Sequence, residues 1–191
     1  MSYDITEVTV RDMAQSREAR VLRQQQLALQ CGDVPNGKDG YCVISFMLNI
    51  AGAVKRKPLY DRAFREGVRR IEAALEQAGG RIIKREIAEK FTGNEYLAGV
   101  ALNALQAKGV LIELEEMDKL GRIFDIDVLT PDFHKVERRE VGREERKCLL
   151  CNEKAHVCAR NRTHSVASLV SAIDAIISEQ LANESNEKNI E

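Results

Sequence analysis

Two aspartates, Asp125 and Asp127, stand one residue apart in the otherwise apolar stretch LGRIFDIDVL. Alternate side chains of a β-strand share a face, so both carboxylates would project from one side, about 7 Å apart, while Phe124, Ile126 and Val128 enter the core. Carboxylates at this spacing can converge on a hard cation such as Mg²⁺, which also binds substrate phosphates. The pattern therefore predicts the metal site of a phosphoryl or nucleotidyl transferase. The alternative is an edge strand whose polar face meets solvent.

Basic side chains accompany the aspartate pair. Arg122 precedes Asp125 by three residues, and its guanidinium could hold a phosphate that the metal also touches. Lys55, Arg56 and Lys57 form a basic loop after a predicted buried strand. We predict that Lys55 contacts a phosphate, whereas Arg56 and Lys57 face water or an acidic partner. The alternative for this triplet is a solvated basic turn.

Three cysteines and a histidine have the spacing of a metal site. Cys148, Cys151, Cys158 and His164 form the pattern C-x2-C-x6-C-x5-H, and His156 is a competing fourth ligand. Three thiolates and one imidazole are a ligand set of structural zinc, in which no coordination position is left open for chemistry. Reduced, partly buried thiols are the alternative.

The elements that would position these residues follow from hydrophobic periodicity and turn signals. Helices are predicted over residues 9–30, 59–78, 92–108 and from 165 onward, with a turn over 31–40, and strands over 41–50, 82–91, 110–116 and 122–129. These elements indicate one α+β domain with a mixed β-sheet packed with helices, a Cys/His-rich segment and a C-terminal helix. We expect residues 1–181 to form this domain and the polar residues 182–191 to be a disordered tail.

Composition excludes several classes of protein. The 191 residues carry 29 basic and 30 acidic side chains and only 5% aromatic residues, which speaks against nucleic-acid binding by charge or by base stacking. No apolar run approaches the length of a membrane span, and the N-terminus does not resemble a signal peptide. Five cysteines, three of them clustered, do not suggest a secreted disulfide framework, so we expect a cytoplasmic location.

Four blocks of the chain resemble a known family. They are REARVLRQQQLA, VISFMLNIAGAVKRKP, LGRIFDIDVL and RKCLLCNEKAHVCARNRTH, within the span from about Arg17 to Ile177. They are similar to the citrate lyase holo-acyl-carrier-protein synthases, also called apo-citrate lyase phosphoribosyl-dephospho-CoA transferases (the CitX family). The loop departs from the family pattern at Ala51 and Ala53, where proline would be expected.

The resemblance implies an enzyme that attaches the prosthetic group of citrate lyase to a serine of its acyl carrier (gamma) subunit. The donor would be 2'-(5''-triphosphoribosyl)-3'-dephospho-CoA, with pyrophosphate released. The cofactor that the aspartate pair predicts is Mg²⁺. Asn49, Gly52 and Lys55 keep the family pattern in the second block and would bind substrate.

The residues themselves agree with this chemistry. A metal on Asp125 and Asp127, with Arg122 and Lys55 nearby, would neutralise the charge of the leaving group. The general base stays open between the two aspartates and His134. Other possibilities are a related transferase for a malonate-processing carrier protein, a non-catalytic zinc-stabilised interaction module and a single-stranded nucleic-acid binder.

Overall fold

The computed structural model describes residues 5–32 and 40–187, which form five α-helices and one four-stranded sheet. The helices are α1 (Val10–Gly32), α2 (Pro58–Gln77), α3 (Ala104–Met117), α4 (Ala155–Asn161) and α5 (Val166–Glu187), and the strands are β1 (Cys42–Leu48), β2 (Arg81–Ala88), β3 (Glu95–Ala101) and β4 (Phe124–Leu129). Within these described ranges, no helix has the length and apolar character needed to cross a membrane.

The strands lie in the order β2-β3-β1-β4. The α+β class predicted from the sequence is confirmed, but all three strand pairings are antiparallel, where a mixed sheet was expected. A short turn joins β2 directly to β3, and such a hairpin connection pairs strands antiparallel. In the pairing of β1 with β4, Met47 lies opposite Asp125 and Ser45 lies opposite Asp127.

The two faces of the sheet are covered unequally. On one face α2, α3 and α5 enclose the main core, where Phe46 stacks on Phe64 at a ring distance of 5.3 Å and meets Phe124 edge-on at 5.2 Å. On the other face Leu27 and Cys31 of α1 belong to a smaller buried cluster. Since α1 packs mainly on β3, β1 and β2, it leaves the outward face of β4 open beside Asp125.

β4 is an edge strand whose outer backbone groups are bound by side chains. Glu115 of α3 accepts a hydrogen bond from the Ile126 N–H (3.2 Å), and Lys108 of α3 donates to the Ile126 carbonyl oxygen (3.0 Å). Arg146 donates to the Phe124 carbonyl oxygen (2.5 Å). Free strand edges pair readily with other chains. These contacts therefore close the edge and hold β4 in place.

A close approach of α3 fixes the start of β4. Gly121 donates its backbone N–H to Asp118 (2.7 Å), and a Cβ at Gly121 would lie only 2.3 Å from the Leu114 carbonyl oxygen. Only glycine fits there without moving backbone. The turn Gly121–Ile123 thus leads directly from α3 into the strand that carries the two aspartates.

The predicted helix over residues 92–108 is wrong in its first half, which is the inner strand β3. Thr92 and Glu95 have the spacing of a capping box, but Glu95 forms ion pairs with Arg20, Arg23 and Lys90. Burial of β3 between two other strands therefore decides its conformation.

The predicted strand over residues 110–116 is also wrong, because it belongs to α3. The side chain of Asn103 caps this helix by accepting hydrogen bonds from the N–H groups of Leu105 (2.9 Å) and Gln106 (3.3 Å). Leu111 and Leu114 are buried one turn apart, so the run VLIELEE has a helical face that its apparent alternation concealed.

The end of the chain differs from the expectation in one respect. The last helix extends to Glu187, whereas we predicted that order would end at residue 181. The final residues of the predicted tail, 188–191, lie outside the described residues, and so does most of the predicted turn over 31–40. No contact of the described residues tests where the domain ends, so the boundary at 181 stays a prediction.

Candidate functional site

Asp125 and Asp127 lie on the open face of β4, and the three residues that alternate with them are buried: Phe124, Ile126 and Val128. The orientation predicted from strand alternation is confirmed. Asp127 forms an ion pair with Lys135, with 2.6 Å between Oδ1 and Nζ. The carboxylate of Asp125 has no hydrogen-bond or ion-pair partner among the residues that the structure describes.

The surroundings of Asp125 disfavour its negative charge. Its tip reaches solvent, but the protein around it displaces much of the water, and Asp127 adds a second negative charge. Desolvation first, and then the charge of Asp127, raise the pKa of Asp125 above its usual range. A cation beside the pair would relieve both effects.

Asp125 borders a polar cavity of about 150 Å³, here called the Asp125 recess. Its other walls come from the loop after β1, the start of α2 and the turn between β2 and β3. The polar residues lining it beside Asp125 are Asn49, Lys55, Tyr60, Asp61, Thr92 and Asn94. The fold thus brings together Asp125, Asn49 and Lys55, which are distant in the sequence.

The loop after β1 holds Asn49 and Lys55 in the recess. The backbone N–H of Asn49 donates to the Ile123 carbonyl oxygen (2.8 Å), and the Lys55 ammonium donates to the Ile50 carbonyl oxygen (2.5 Å). Desolvation by burial lowers the pKa of Lys55. A cation that is poorly solvated in this way would be stabilised by an anionic group entering the recess.

Asp61 is a buried member of the recess that the sequence analysis missed. Its carboxylate accepts hydrogen bonds from Asn94 (2.8 Å) and from the Arg56 Nε (3.3 Å). The sequence did contain a signal, because Asp61 stands three residues before Phe64 on the apolar stripe of α2. A carboxylate on a buried helix face needs such polar partners.

The other two residues of the basic loop, which we predicted to face water or an acidic partner, are partly exposed and bind carboxylates of this chain. Arg56 forms ion pairs with Asp61 and with Glu89, and the Lys57 ammonium lies 2.6 Å from a carboxylate oxygen of Asp174. Their charges bind the start of α2 to neighbouring elements. The sequence could not reveal these partners, since Asp174 is more than 100 residues away.

Arg122 and Gly52 lie outside the Asp125 recess. The guanidinium of Arg122 donates to the Cys148 carbonyl oxygen (2.6 Å) and lines a neighbouring cavity against the cysteine segment. Gly52 has a φ of +79°, and a Cβ there would lie 3.2 Å from the Val170 side chain. Its described contacts are therefore with α5.

On its other side Asp125 borders a larger cavity of about 460 Å³ that also contains Asp127 and three glutamates. The basic side chains lining it are Lys108, Lys135, Arg138, Arg139, Arg143, Arg146 and His156. His134, our other candidate for the base, lies 3.0 Å from Glu140 and lines neither cavity around Asp125.

Helix α1 approaches the recess through an ion-pair cluster whose role we did not predict. Glu95 is buried and pairs with Arg20, Arg23 and Lys90. Arg20 also donates to the sulfur of Met47 (2.7 Å), which lines the recess opposite Asp125 in the sheet. The block REARVLRQQQLA thus anchors α1 beside the recess.

The predicted Cys/His cluster is assembled in the structure. The ligand atoms of Cys148, Cys151, Cys158 and His164 all lie within 4.8 Å of one another. The imidazole Nε2 lies 3.3 Å from the Cys151 sulfur, which is 3.5 Å from the Cys158 sulfur. Zinc–sulfur bonds of about 2.3 Å in a tetrahedron place sulfurs about 3.8 Å apart, so these residues fit the metal. His156 instead approaches Glu145 at 3.7 Å.

The thiols differ in how readily they ionise. Although desolvation opposes ionisation of Cys148, backbone N–H groups of Leu150 and Cys151 and the neighbouring thiols lower its pKa to about 7. Desolvation and the hydrogen bonds with Cys151 and Cys148 raise the pKa of Cys158 to about 11. One thiolate held by two amides is a suitable first ligand for a zinc ion, which deprotonates the others.

We expect Cys151→Ser to lose a bound zinc ion and to lower the melting temperature, because structural zinc contributes free energy of folding. Elemental analysis of protein purified without chelator should give about one zinc per wild-type chain and much less in the variant. Cys42→Ala, a buried cysteine outside the cluster, is the control and should retain zinc. Wild-type protein without zinc and with freely titrating thiols would contradict the site.

Comparison with known proteins agrees with the resemblance found in the sequence. The family model for CitX, apo-citrate lyase phosphoribosyl-dephospho-CoA transferase, matches residues 8–180. Relatives named apo-citrate lyase phosphoribosyl-dephospho-CoA transferase occur in Shigella boydii serotype 18 and in Escherichia coli O157:H7. Each is 32% identical over 172 residues, which cover 90% of this chain and 90% of the relative. The chain therefore belongs to the CitX family of apo-citrate lyase phosphoribosyl-dephospho-CoA transferases.

Proposed function

We propose that this protein is a nucleotidyltransferase that acts on the acyl carrier (gamma) subunit of apo-citrate lyase. It transfers the 5-phosphoribosyl-3'-dephospho-CoA group from 2'-(5''-triphosphoribosyl)-3'-dephospho-CoA to a serine of the carrier and releases pyrophosphate. Family membership supports the reaction. The observation that carries the site assignment is Asp125, a carboxylate on an open strand face without a partner among the described residues.

The reaction exchanges one phosphorus–oxygen bond for another. The serine oxygen of the carrier attacks the donor phosphorus next to the ribose, and the bond from that phosphorus to the pyrophosphate oxygen breaks. The serine proton must pass to a base, for which Asp125 and Asp127 remain the candidates. Of the two, Lys135 neutralises Asp127, whereas Asp125 has a raised pKa in the metal-free protein.

Asp125 and Asp127 are also the residues that would hold Mg²⁺. Two carboxylates on one strand face, with space beside them for phosphate oxygens, meet the usual demand of this ion. The ion would neutralise charge on the donor's triphosphate. Lys135 would then have to release Asp127 and could itself contact a phosphate.

Lys55 supplies positive charge inside the recess. We expect Lys55→Met to lower kcat/KM for the donor about 10- to 100-fold, because a hydrogen bond to a charged group contributes about 1.5–3 kcal/mol. KM for the carrier should change little. Steady-state kinetics with each substrate varied separately, at two salt concentrations, measure both effects.

Lys119→Met is the matched control, since Lys119 is exposed on the surface and pairs only loosely with Glu179 (3.5 Å). It should leave both KM values unchanged. If Lys55→Met and wild type have the same donor kinetics, the Asp125 recess does not bind the phosphates of the donor.

Release of pyrophosphate tests the proposed reaction. It should require donor, a divalent cation and the apo-carrier of citrate lyase together, and a malonate-processing carrier should support it poorly. Faster release with the malonate-processing carrier would assign the protein to that system. Tight carrier binding without any release would favour a zinc-stabilised interaction module.

A further inference from the structure

A large cavity lies between the cysteine segment, α5 and the loop after β1. It measures about 650 Å³ and is here called the α5 pocket. Apolar side chains contribute much of its lining, and the main ones are Ala51, Ile123, Leu149, Ala159, Leu169 and Ile173. Its volume falls within the range of about 300–1,000 Å³ that is usual for small-molecule sites.

The charged residues of this pocket all have one sign. Arg122, Arg146, Lys147 and Arg162 line it, and no acidic side chain appears among its described lining residues, although Arg146 also pairs with Glu115 outside the lining. The chain as a whole has a net charge of -1, so this local excess does not follow from composition. Apolar walls with basic groups suit an elongated ligand that is part apolar and part phosphate.

The α5 pocket adjoins the Asp125 recess. Asn49 lines both cavities, and its backbone N–H binds the Ile123 carbonyl oxygen, immediately before β4. A ligand lying in the pocket could therefore extend past Asn49 toward Asp125. Gly52 allows the loop to approach α5 closely, because a side chain there would press on Val166 and Val170.

We propose that the α5 pocket binds the dephospho-CoA half of the donor, with the adenosine diphosphate near the basic side chains and the pantetheine arm along the apolar wall. The triphosphate of the same molecule then lies in the Asp125 recess. This inference rests on the proposed function for the identity of the ligand. It gives the Cys/His cluster a role, since Cys148, Cys158 and His164 form part of the pocket wall.

Binding of dephospho-CoA alone tests the pocket without any transfer. Isothermal titration of the full-length, zinc-loaded protein should show saturable binding. Ala159→Phe should weaken it at least about tenfold by filling the pocket, and Arg162→Gln should weaken it several-fold by removing a phosphate partner. Ala167→Phe, on the exposed surface of α5, is the control and should bind like wild type.

The outcomes separate this proposal from the proposed function. Dephospho-CoA binding that depends on Ala159 supports the pocket even if no carrier is modified. Transfer with an unchanged donor KM in Ala159→Phe and Arg162→Gln would overturn the pocket and leave the transferase function intact. Absence of dephospho-CoA binding to the wild-type protein would also overturn it.

Discussion

We expect Asp125→Asn to lower kcat for carrier modification by about 10³-fold while leaving the fold intact, since loss of one group that stabilises transition-state charge costs about 10²–10³-fold. Asparagine keeps the size of aspartate, but its neutral amide cannot accept the serine proton and offers a divalent cation no negative charge. The open position of Asp125 on β4, without a described partner, means that the fold does not depend on its charge.

Single-turnover measurements at saturating donor and carrier test this expectation, and thermal unfolding tests the fold. Asp132→Asn is the matched control, because Asp132 follows β4 in an exposed loop and its carboxylate accepts local hydrogen bonds from the Thr130 hydroxyl and from its own backbone. It should retain wild-type turnover. An Asp125→Asn protein that turns over at the wild-type rate would rule out both roles assigned to this carboxylate.

The second large effect concerns stability. We expect Glu115→Ala to reduce the free energy of unfolding by about 3 kcal/mol, since breaking a buried ion pair costs about 3–5 kcal/mol and the partners here are partly exposed. Glu115 is almost fully buried, pairs with Arg138 (2.6 Å) and Arg146, and binds the Ile126 N–H. Its removal leaves the Ile126 N–H without its acceptor and takes one carboxylate from each guanidinium, of which Arg138 keeps Glu116 and Arg146 keeps the Phe124 carbonyl oxygen.

Glu116→Ala is the control in the next residue. Glu116 pairs with the same Arg138 at the same 2.6 Å, but its side chain is 49% exposed, against 3% for Glu115. Exposed ion pairs contribute about 0–1 kcal/mol, so this variant should unfold nearly like wild type. Urea unfolding of both variants measures the difference. Equal stabilities would show that Glu115 does not hold the edge of β4.

The sequence predicted the elements whose periodicity is unambiguous. α2, β1 and β4 lie close to their predicted ranges because their apolar stripe or continuous apolar runs fit only one type of element; α1 and β2, whose patterns are weaker, also lie close to theirs. β3 and α3 were misassigned because their local patterns resemble those of the other type of element. The spacing of Thr92 and Glu95 imitates a helix start, and the alternation in VLIELEE imitates a strand. The conformation of β3 is decided by its pairing with β1 and β2, and that of α3 by its packing on α2.

Some features of the candidate site were also predictable from the sequence, and others were not. Two aspartates on one strand face and a group of closely spaced cysteines are local patterns. Strand alternation was therefore sufficient to orient Asp125 and Asp127, and ligand spacing was sufficient to predict the Cys/His cluster. Partners that are distant in the chain could not be deduced. The pairing of Lys57 with Asp174 and of Asp61 with Asn94 depends on how α2 meets α5 and the β2–β3 turn.

The intact mass of the carrier tests the central claim most directly. Apo-carrier of citrate lyase is incubated with this protein, the triphosphoribosyl donor and Mg²⁺, and is then weighed by mass spectrometry. We predict a gain equal to one phosphoribosyl-dephospho-CoA group, which is absent when the acceptor serine is replaced by alanine and strongly delayed with Asp125→Asn. A carrier whose mass stays unchanged with the wild-type protein would contradict the proposed function.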